Sequence, residues 1–300
     1  MRISTQTLFE SGAAQLGELQ SGLVRTQEQI ASGRRILAPS DDPVAAARAL
    51  EVSQSQSLNT QYGVNRQYAK SALSEMEGTL SGVTELMQDV KTTIITAGNG
   101  TLNDADRGSL ATELSARRDA LLGLANSRDG MGNYMFSGFQ TATPAFSKDT
   151  LGKVTYDGDA GQRLIQVDAS RRMAATAPGS TVFQGGGQDV FATLNDLITL
   201  LQTPGTVGLT AGLASANTNM DQALDNVLTV RASAGSRLQE LDALDYAGED
   251  RHIQYSQVLS DLQDLDYNEA LTRLSQQQIT LEAAQRSFVT VSGLSLFNFL

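Results

Sequence analysis

The chain has 300 residues, 40% hydrophobic and 5% aromatic, with 22 basic against 33 acidic side chains, a net charge of −11 and a pI near 4.6. That balance excludes the basic face needed to hold nucleic acid, and the absence of cysteine removes disulfides and thiolate chemistry. The opening MRISTQTLFE lacks the basic n-region, apolar core and cleavage site of a secretory signal, so any export is expected to avoid cleavage of such a peptide.

The first predicted element is a helix from near Leu8 to near Arg35. Phe9, Leu16, Leu23, Ile30 and Leu37 recur every seven residues, with Leu19 and Thr26 at the complementary position, which is a coiled-coil seam. Gly33 suits a C-terminal cap, and Arg34 and Arg35 suit the negative end of the helix dipole. Residues 36–42 then read as a hinge. Pro39 biases Ala38 away from helix, while Asp42 suits an N-cap and Pro43 the first helical position. Pro39, Ser40, Asp41, Asp42 and Pro43 are the candidate hinge residues, with the two aspartates read as capping groups rather than metal ligands.

A second helix is expected from Pro43 to about Ala97. Leu73, Met76, Leu80, Val83, Met87, Val90 and Ile94 alternate three and four residues apart, so the methionines read as core. The segment AGNGTLND breaks it, with Asn103 or Asp104 as the next cap. The third helix, about 104–128, places Leu110, Leu114, Leu121 and Leu124 on one face. Its arginines, Arg107, Arg117, Arg118 and Arg128, suit either acidic partners or solvent.

From about Asn126 to Gly187 the composition turns to glycine, threonine and β-branched residues. Two short strands, 153–156 and 163–167, joined by an acidic glycine turn, predict a small β-rich insertion with exposed residues. The turn YDGD resembles part of a calcium loop but lacks the closing glutamate. Helix resumes at Asp189-Val190, with Phe191, Leu194, Leu197, Ile198 and Leu201 apolar, and stops at TPGTVG. The last helical stretch starts near Leu209. Met220, Leu224, Val227, Ala234, Leu238 and Leu241 form its seam apart from Arg231, and Gly248 is expected to break or bend it opposite the hinge.

In the final segment, Val258, Leu262 and Leu265 precede a heptad series of Leu274, Leu281 and Phe288, and Leu296 lies in the closing VTVSGLSLFNFL. No proline interrupts the run, which predicts one helix of about 30 to 40 residues, roughly 45 to 60 Å long. Its apolar stripe is too thin for a membrane span, which needs about 20 consecutive apolar residues. The match in kind and length to the N-terminal seam predicts that the two ends pair.

The expected fold is therefore mainly α, with long antiparallel helices, a terminal coiled coil and a small inserted β-rich domain. Residues 1–42 and 255–300 form the coiled-coil segment, 43–128 and 188–254 an inner helical bundle, and 129–187 an outer domain. The candidate assembly interface comprises Phe9, Leu16, Leu19, Leu23, Ile30, Val258, Leu262, Leu265, Leu274, Leu281, Phe288 and Leu296. His252 is the sole histidine, which excludes two-histidine zinc sites. Asp261, Asp264 and Asp266 read as the solvated flank of a coil. Neither a nucleophile elbow nor a phosphate loop occurs, so no enzyme, metal or cofactor is expected.

MRIST, QIASGRRILAPSDDPVAAARAL and AGNGTLNDADRGSLATELSARRDALLGLANSRDGMGNYMFSGF closely resemble the flagellar hook-associated protein 3 family, and the closing LSDLQDLDYNEALTRLSQQQITLEAAQRSF and SLFNFL resemble the end shared by that family and flagellin. Ser40-Asp41-Asp42-Pro43 discriminates best, since flagellins usually carry lysine before the paired aspartates and no proline after them. The resemblance implies a flagellin-like rod located at the extracellular junction between flagellar hook and filament. It implies contacts with the preceding hook-associated protein, with flagellin and with a ring of like subunits. It also implies type III export without a cleaved signal, with a cytoplasmic chaperone on the C-terminal helix, and neither nucleic acid nor membrane insertion. The alternatives are a filament flagellin, a secreted enzyme with its site in the middle domain, and a generic helical adaptor.

Overall fold

The computed structural model describes residues 5–205 and 207–293. Among the described residues seven helices carry two small hairpins: α1 (Thr5–Ser32), α2 (Pro43–Ala97), α3 (Asp104–Ala125), β1 (Phe146–Lys148), β2 (Val154–Tyr156), β3 (Leu164–Asp168), β4 (Arg171–Ala174), α4 (Gly179–Phe183), α5 (Val190–Gln202), α6 (Leu209–Gln263) and α7 (Tyr267–Gly293). The fold is mainly α with a small β-rich insertion, as the sequence periodicity predicts. By contacts it divides into two units, residues 1–58 with 250–300 and residues 59–249, and α2 and α6 contribute to both. Among the described residues no helix is long and apolar enough to cross a membrane.

In the unit 59–249, α2 and α6 run antiparallel. Lys91 pairs with Asp221, Arg231 with Glu77 (2.6 Å), Lys70 with Asp242 (2.5 Å) and Arg66 with Asp245, so partners ascend one helix as they descend the other. The Arg231 gap in the seam is thereby explained: the guanidinium leaves the core for Glu77 and the Thr84 hydroxyl. Helix α3 opens on a reciprocal cap, in which Asn103 accepts from the Asp106 amide and Asp106 from the Asn103 amide. It packs along α5 and reaches α2 through Arg117, which bonds Asp89 at 2.6 Å and Glu113 at 2.7 Å. Arg107 pairs with Asp104 and Arg118 with Asp119 and Asn195, whereas Arg128 stacks 4.4 Å over the Tyr134 ring. Leu73, Leu80, Val83, Met87, Leu114, Leu121, Leu194, Leu197, Met220 and Val227 fill one continuous core.

The structure corrects the reading of the insertion on two points. Its strands do not pair with each other: Val154–Tyr156 pairs back with Phe146–Lys148, and Leu164–Asp168 forward with Arg171–Ala174. The acidic glycine turn therefore links two separate hairpins. In that turn the Asp159 carboxylate accepts from the amides of Phe139 (3.0 Å) and Gly161 (2.7 Å), a local brace that occupies the group a calcium loop would need. Nor is the insertion exposed throughout. Phe136, Phe146, Val167, Met173, Val182 and Phe183 are buried in the main core, and α4, unforeseen in the sequence, supplies the last two. Phe146 sits between Phe183, Phe191 and Tyr156 at centroid distances of 5.4, 5.1 and 5.0 Å. Asn126, just past the end of α3, grips the Phe146 backbone twice, accepting from its amide (2.9 Å) and donating to its carbonyl (2.8 Å).

Gly248 is not a break. Helix α6 continues through it to Gln263, and its carbonyl accepts from buried Asn59 at 2.8 Å. A Cβ there would lie 3.2 Å from the Arg66 Cζ, so the missing side chain makes room for that guanidinium. The C-terminal stretch is likewise not one helix, because the chain turns at residues 264–266 before α7 begins.

Candidate assembly interface

In the other unit, α1 and α7 pack side by side and antiparallel. The Phe9 and Phe288 rings meet at 5.1 Å, Phe288 lies against Gly12, and Gln277 lies against Gly22. A Cβ added at Gly12 would stand 2.7 Å from the Phe288 ring, so glycine permits the close approach there. The seam carries polar rungs as well. Thr26 is buried with its hydroxyl donating to the Gly22 carbonyl (3.1 Å), and buried Gln29 donates to the Arg35 carbonyl (2.6 Å).

Leu16, Leu19, Leu23, Ile30, Val258, Leu262, Leu265, Leu274, Leu281 and Phe288 are all only half-buried, and Phe9 is 55% exposed. Leu296 lies outside the described residues. Among this unit's described residues the fully buried apolar side chains are alanines, Ala45, Ala49 and Ala270, in contrast to the filled core of residues 59–249. Beside the seam an open groove of about 730 Å³ is lined by Gly12, Leu16, Leu19, Ala284, Phe288 and Val291. A fully buried leucine or phenylalanine gains about 1.5–3 kcal/mol over an exposed one, so each half-buried position leaves part of that gain unrealised.

The hinge residues lie in a turn that is tied on both sides of its tip. Gly33 ends α1 with φ +69° and its carbonyl accepts from the Leu265 amide at 3.0 Å. Arg34 bridges Asp264, the Arg35 amide donates to the Gln263 carbonyl (2.8 Å), and the Arg35 guanidinium donates to the Leu262 carbonyl (2.9 Å). The turns at 33–42 and 264–266 thus lock together. Asp41 accepts from the Leu37 and Ala38 amides at 3.0 and 3.1 Å and pairs with Arg25 of α1 at 2.5 Å. Asp42 caps α2 through the Ala45 amide (3.0 Å) and meets Arg35 at 3.3 Å. The hydrogen bond donated by the Ala38 amide is the main cause that holds the Asp41 carboxyl below its usual range, with Leu37 and Arg25 adding to it against partial desolvation. The bond from Ala45 does the same for Asp42. Pro39 and Ser40 form the exposed tip. Asp42 is the cap its sequence context predicts, whereas Asp41 ties the turn back to α1.

The sequence reading missed Arg35, Asp264 and Asp266 as parts of this joint. Asp266 caps α7, accepting from the Asn268 (2.9 Å) and Glu269 (3.1 Å) amides. Asp266 followed three residues later by Glu269 is the spacing of a helix start, and that signal could have placed the break. His252 is exposed beside Gln56, and among the described residues no three histidine, aspartate or glutamate side chains converge on a metal position.

Comparisons with known proteins agree with this architecture. A family profile described as the bacterial flagellin N-terminal helical region matches residues 3–141. Flagellar hook-associated protein 3 of Escherichia coli is 38% identical over 99% of each chain. Its counterpart of the same name in Salmonella typhimurium is 37% identical, also over 99% of each. The solved structure of a putative flagellar hook-associated protein from Vibrio parahaemolyticus superposes with a TM-score of 0.69 and 28% identity, covering 75% of this chain and all of that one.

Proposed function

The chain belongs to the flagellar hook-associated protein 3 family, and from that premise we infer that it is a structural junction protein of the bacterial flagellum, linking the hook to the flagellin filament through its terminal helices. Its place is extracellular, in the flagellar assembly with hook, flagellin and copies of itself. The observation that carries the mechanism is the half-buried seam drawn from both chain ends. Neighbouring subunits complete its burial, so docking and final ordering of the ends are one event.

The finer assignments extend that reading. Phe9, Leu16, Leu19, Leu23, Ile30, Val258, Leu262, Leu265, Leu274, Leu281, Phe288 and Leu296 are the assembly residues, and Pro39 to Pro43 the joint. Residues 1–42 and 255–300 act as the docking segment, 43–128 and 188–254 as the inner bundle, and 129–187 as the outer domain. The preceding hook-associated junction protein covers one end and flagellin the other. The chain leaves through the flagellar type III apparatus without loss of a signal peptide, with a cytoplasmic chaperone holding α7 until then. The exposed apolar positions on that helix, Leu271 and Ile279 among them, are what such a chaperone would cover.

The test is to express the labelled chain in cells deleted for their own junction protein. A single focus at each hook tip and restored filaments are expected. Label distributed along the filament would support a flagellin instead, and a chain that is secreted without hook attachment would refute the junction role.

A further inference from the structure

Between α2 and α3 the chain turns through Gly98, Asn99, Gly100 and Thr101, and Asn99 is the only asparagine in the chain that glycine follows. That order makes a reactive pair. The glycine nitrogen can attack the asparagine side-chain carbonyl carbon, and glycine has no Cβ to obstruct the approach. Asn99 and Gly100 are both exposed. The Gly100 amide donates no hydrogen bond among the described residues, and a Cβ at Gly100 would meet nothing within 4 Å. The nucleophile is therefore neither occupied nor shielded.

The turn also places the electrophile. Asn99 Oδ1 accepts from the Thr101 amide at 3.2 Å and from the Thr101 hydroxyl at 3.0 Å. The first bond closes an Asx turn, which folds the side-chain carbonyl back over the peptide that follows it. Both donors point at the oxygen that gains negative charge as Cγ becomes tetrahedral, where such bonds stabilise most. Asn126 offers the contrast. It precedes serine, another small residue, but its carbonyl and its amide are both taken up by the Phe146 backbone. Asn103 is likewise held as the α3 cap, its carbonyl accepting from the Asp106 amide.

We propose that Asn99 is a self-modifying site, converted with time to aspartate and isoaspartate through a cyclic imide formed with Gly100. The Gly100 nitrogen gives its proton to hydroxide and bonds to Asn99 Cγ. The bond from Cγ to the side-chain nitrogen then breaks, and that nitrogen takes a proton from water and leaves as ammonia. Water opens the ring at either carbonyl, which restores the ordinary backbone as aspartate or routes it through the side chain as isoaspartate. The net reaction consumes water, releases ammonia and needs no enzyme or oxidant. Either product adds a carboxylate just past the C-terminal end of α2, where the helix dipole disfavours negative charge. The extent of conversion thus records the age of a chain, whatever assembly it occupies.

The test ages the purified full-length chain at physiological temperature and mildly alkaline pH, then weighs its peptides. Isoaspartate is read separately, by methyl transfer from labelled S-adenosylmethionine with an isoaspartate methyltransferase. Conversion at Asn99 is expected at least tenfold faster than at any other asparagine, with isoaspartate the larger product. Its rate in the folded chain should lie within fivefold of that in guanidinium-denatured chain. Gly100→Ala has open space for its Cβ and a φ outside the left-handed region, so it should fold normally and convert at least tenfold more slowly. Faster conversion at another asparagine, or aspartate as the sole product, would overturn the proposal. So would a folded chain more than fivefold slower than the denatured one, or a Gly100→Ala rate equal to wild type.

Discussion

Replacing Leu23 and Leu281 together by aspartate is expected to abolish incorporation at the hook tip while leaving the folding of residues 59–249 intact. Both side chains are half-buried on the α1–α7 seam, and the proposed docking brings them against neighbouring subunits. Much of the roughly 1.5–3 kcal/mol for burying a leucine is already realised in the isolated chain, so docking adds only the remainder, about 1 kcal/mol or less at each position. The pair together then costs about 1–2 kcal/mol per chain in lost burial, a reduction of roughly 5- to 30-fold in occupancy. A carboxylate enclosed by neighbouring helices adds a desolvation cost in the same direction. Cells carrying only this variant should swim no better than a deletion strain, although the secreted chain unfolds in denaturant with the midpoint of the wild type. Normal incorporation would mean that the seam does not supply the docking energy.

The second large effect concerns the core. Phe146→Ala is expected to destabilise residues 59–249 by about 3–5 kcal/mol, the usual loss for a buried phenylalanine. Phe146 is 1% exposed and touches Phe183, Phe191 and Tyr156, so its removal opens a cavity between β1, α4 and α5. Asn126 fixes the backbone on both sides of the site, which limits how far the walls can collapse into the gap. Chemical denaturation of the isolated chain measures the loss, and a cost below about 1 kcal/mol would show that the cluster repacks freely.

These two sites differ in how well the sequence foretold them. The heptad spacing of Phe9, Leu16, Leu23 and Ile30 and of Leu274, Leu281 and Phe288 is a local, periodic signal, and the structure puts the two series on packed, antiparallel helices. The seam of α2 was equally legible because Leu73 to Ile94 keep the alternation without a gap. Phe146 was not legible: its partners come from residues 156, 183 and 191, and no short-range pattern links them. The strand pairings failed for the same reason, since a three-residue strand shows no alternation from which to choose a partner. Gly248 misled because a glycine weakens a helical pattern without having to end it, and here it clears space for Arg66. The true turn at 264–266 contains neither glycine nor proline; its marks are the Asp266 cap and the backbone bonds to Gly33 and Arg35.

The most direct test of the central claim is amide hydrogen exchange, comparing the isolated chain with the assembled junction. In the isolated chain, amides of α1 and α7 are expected to exchange far faster than those of α2 between Leu73 and Ile94. In the junction they should slow at least tenfold, while residues 59–249 change little. If α1 and α7 are already protected in the monomer as strongly as that stretch of α2, their burial is complete without neighbours, and the account is wrong.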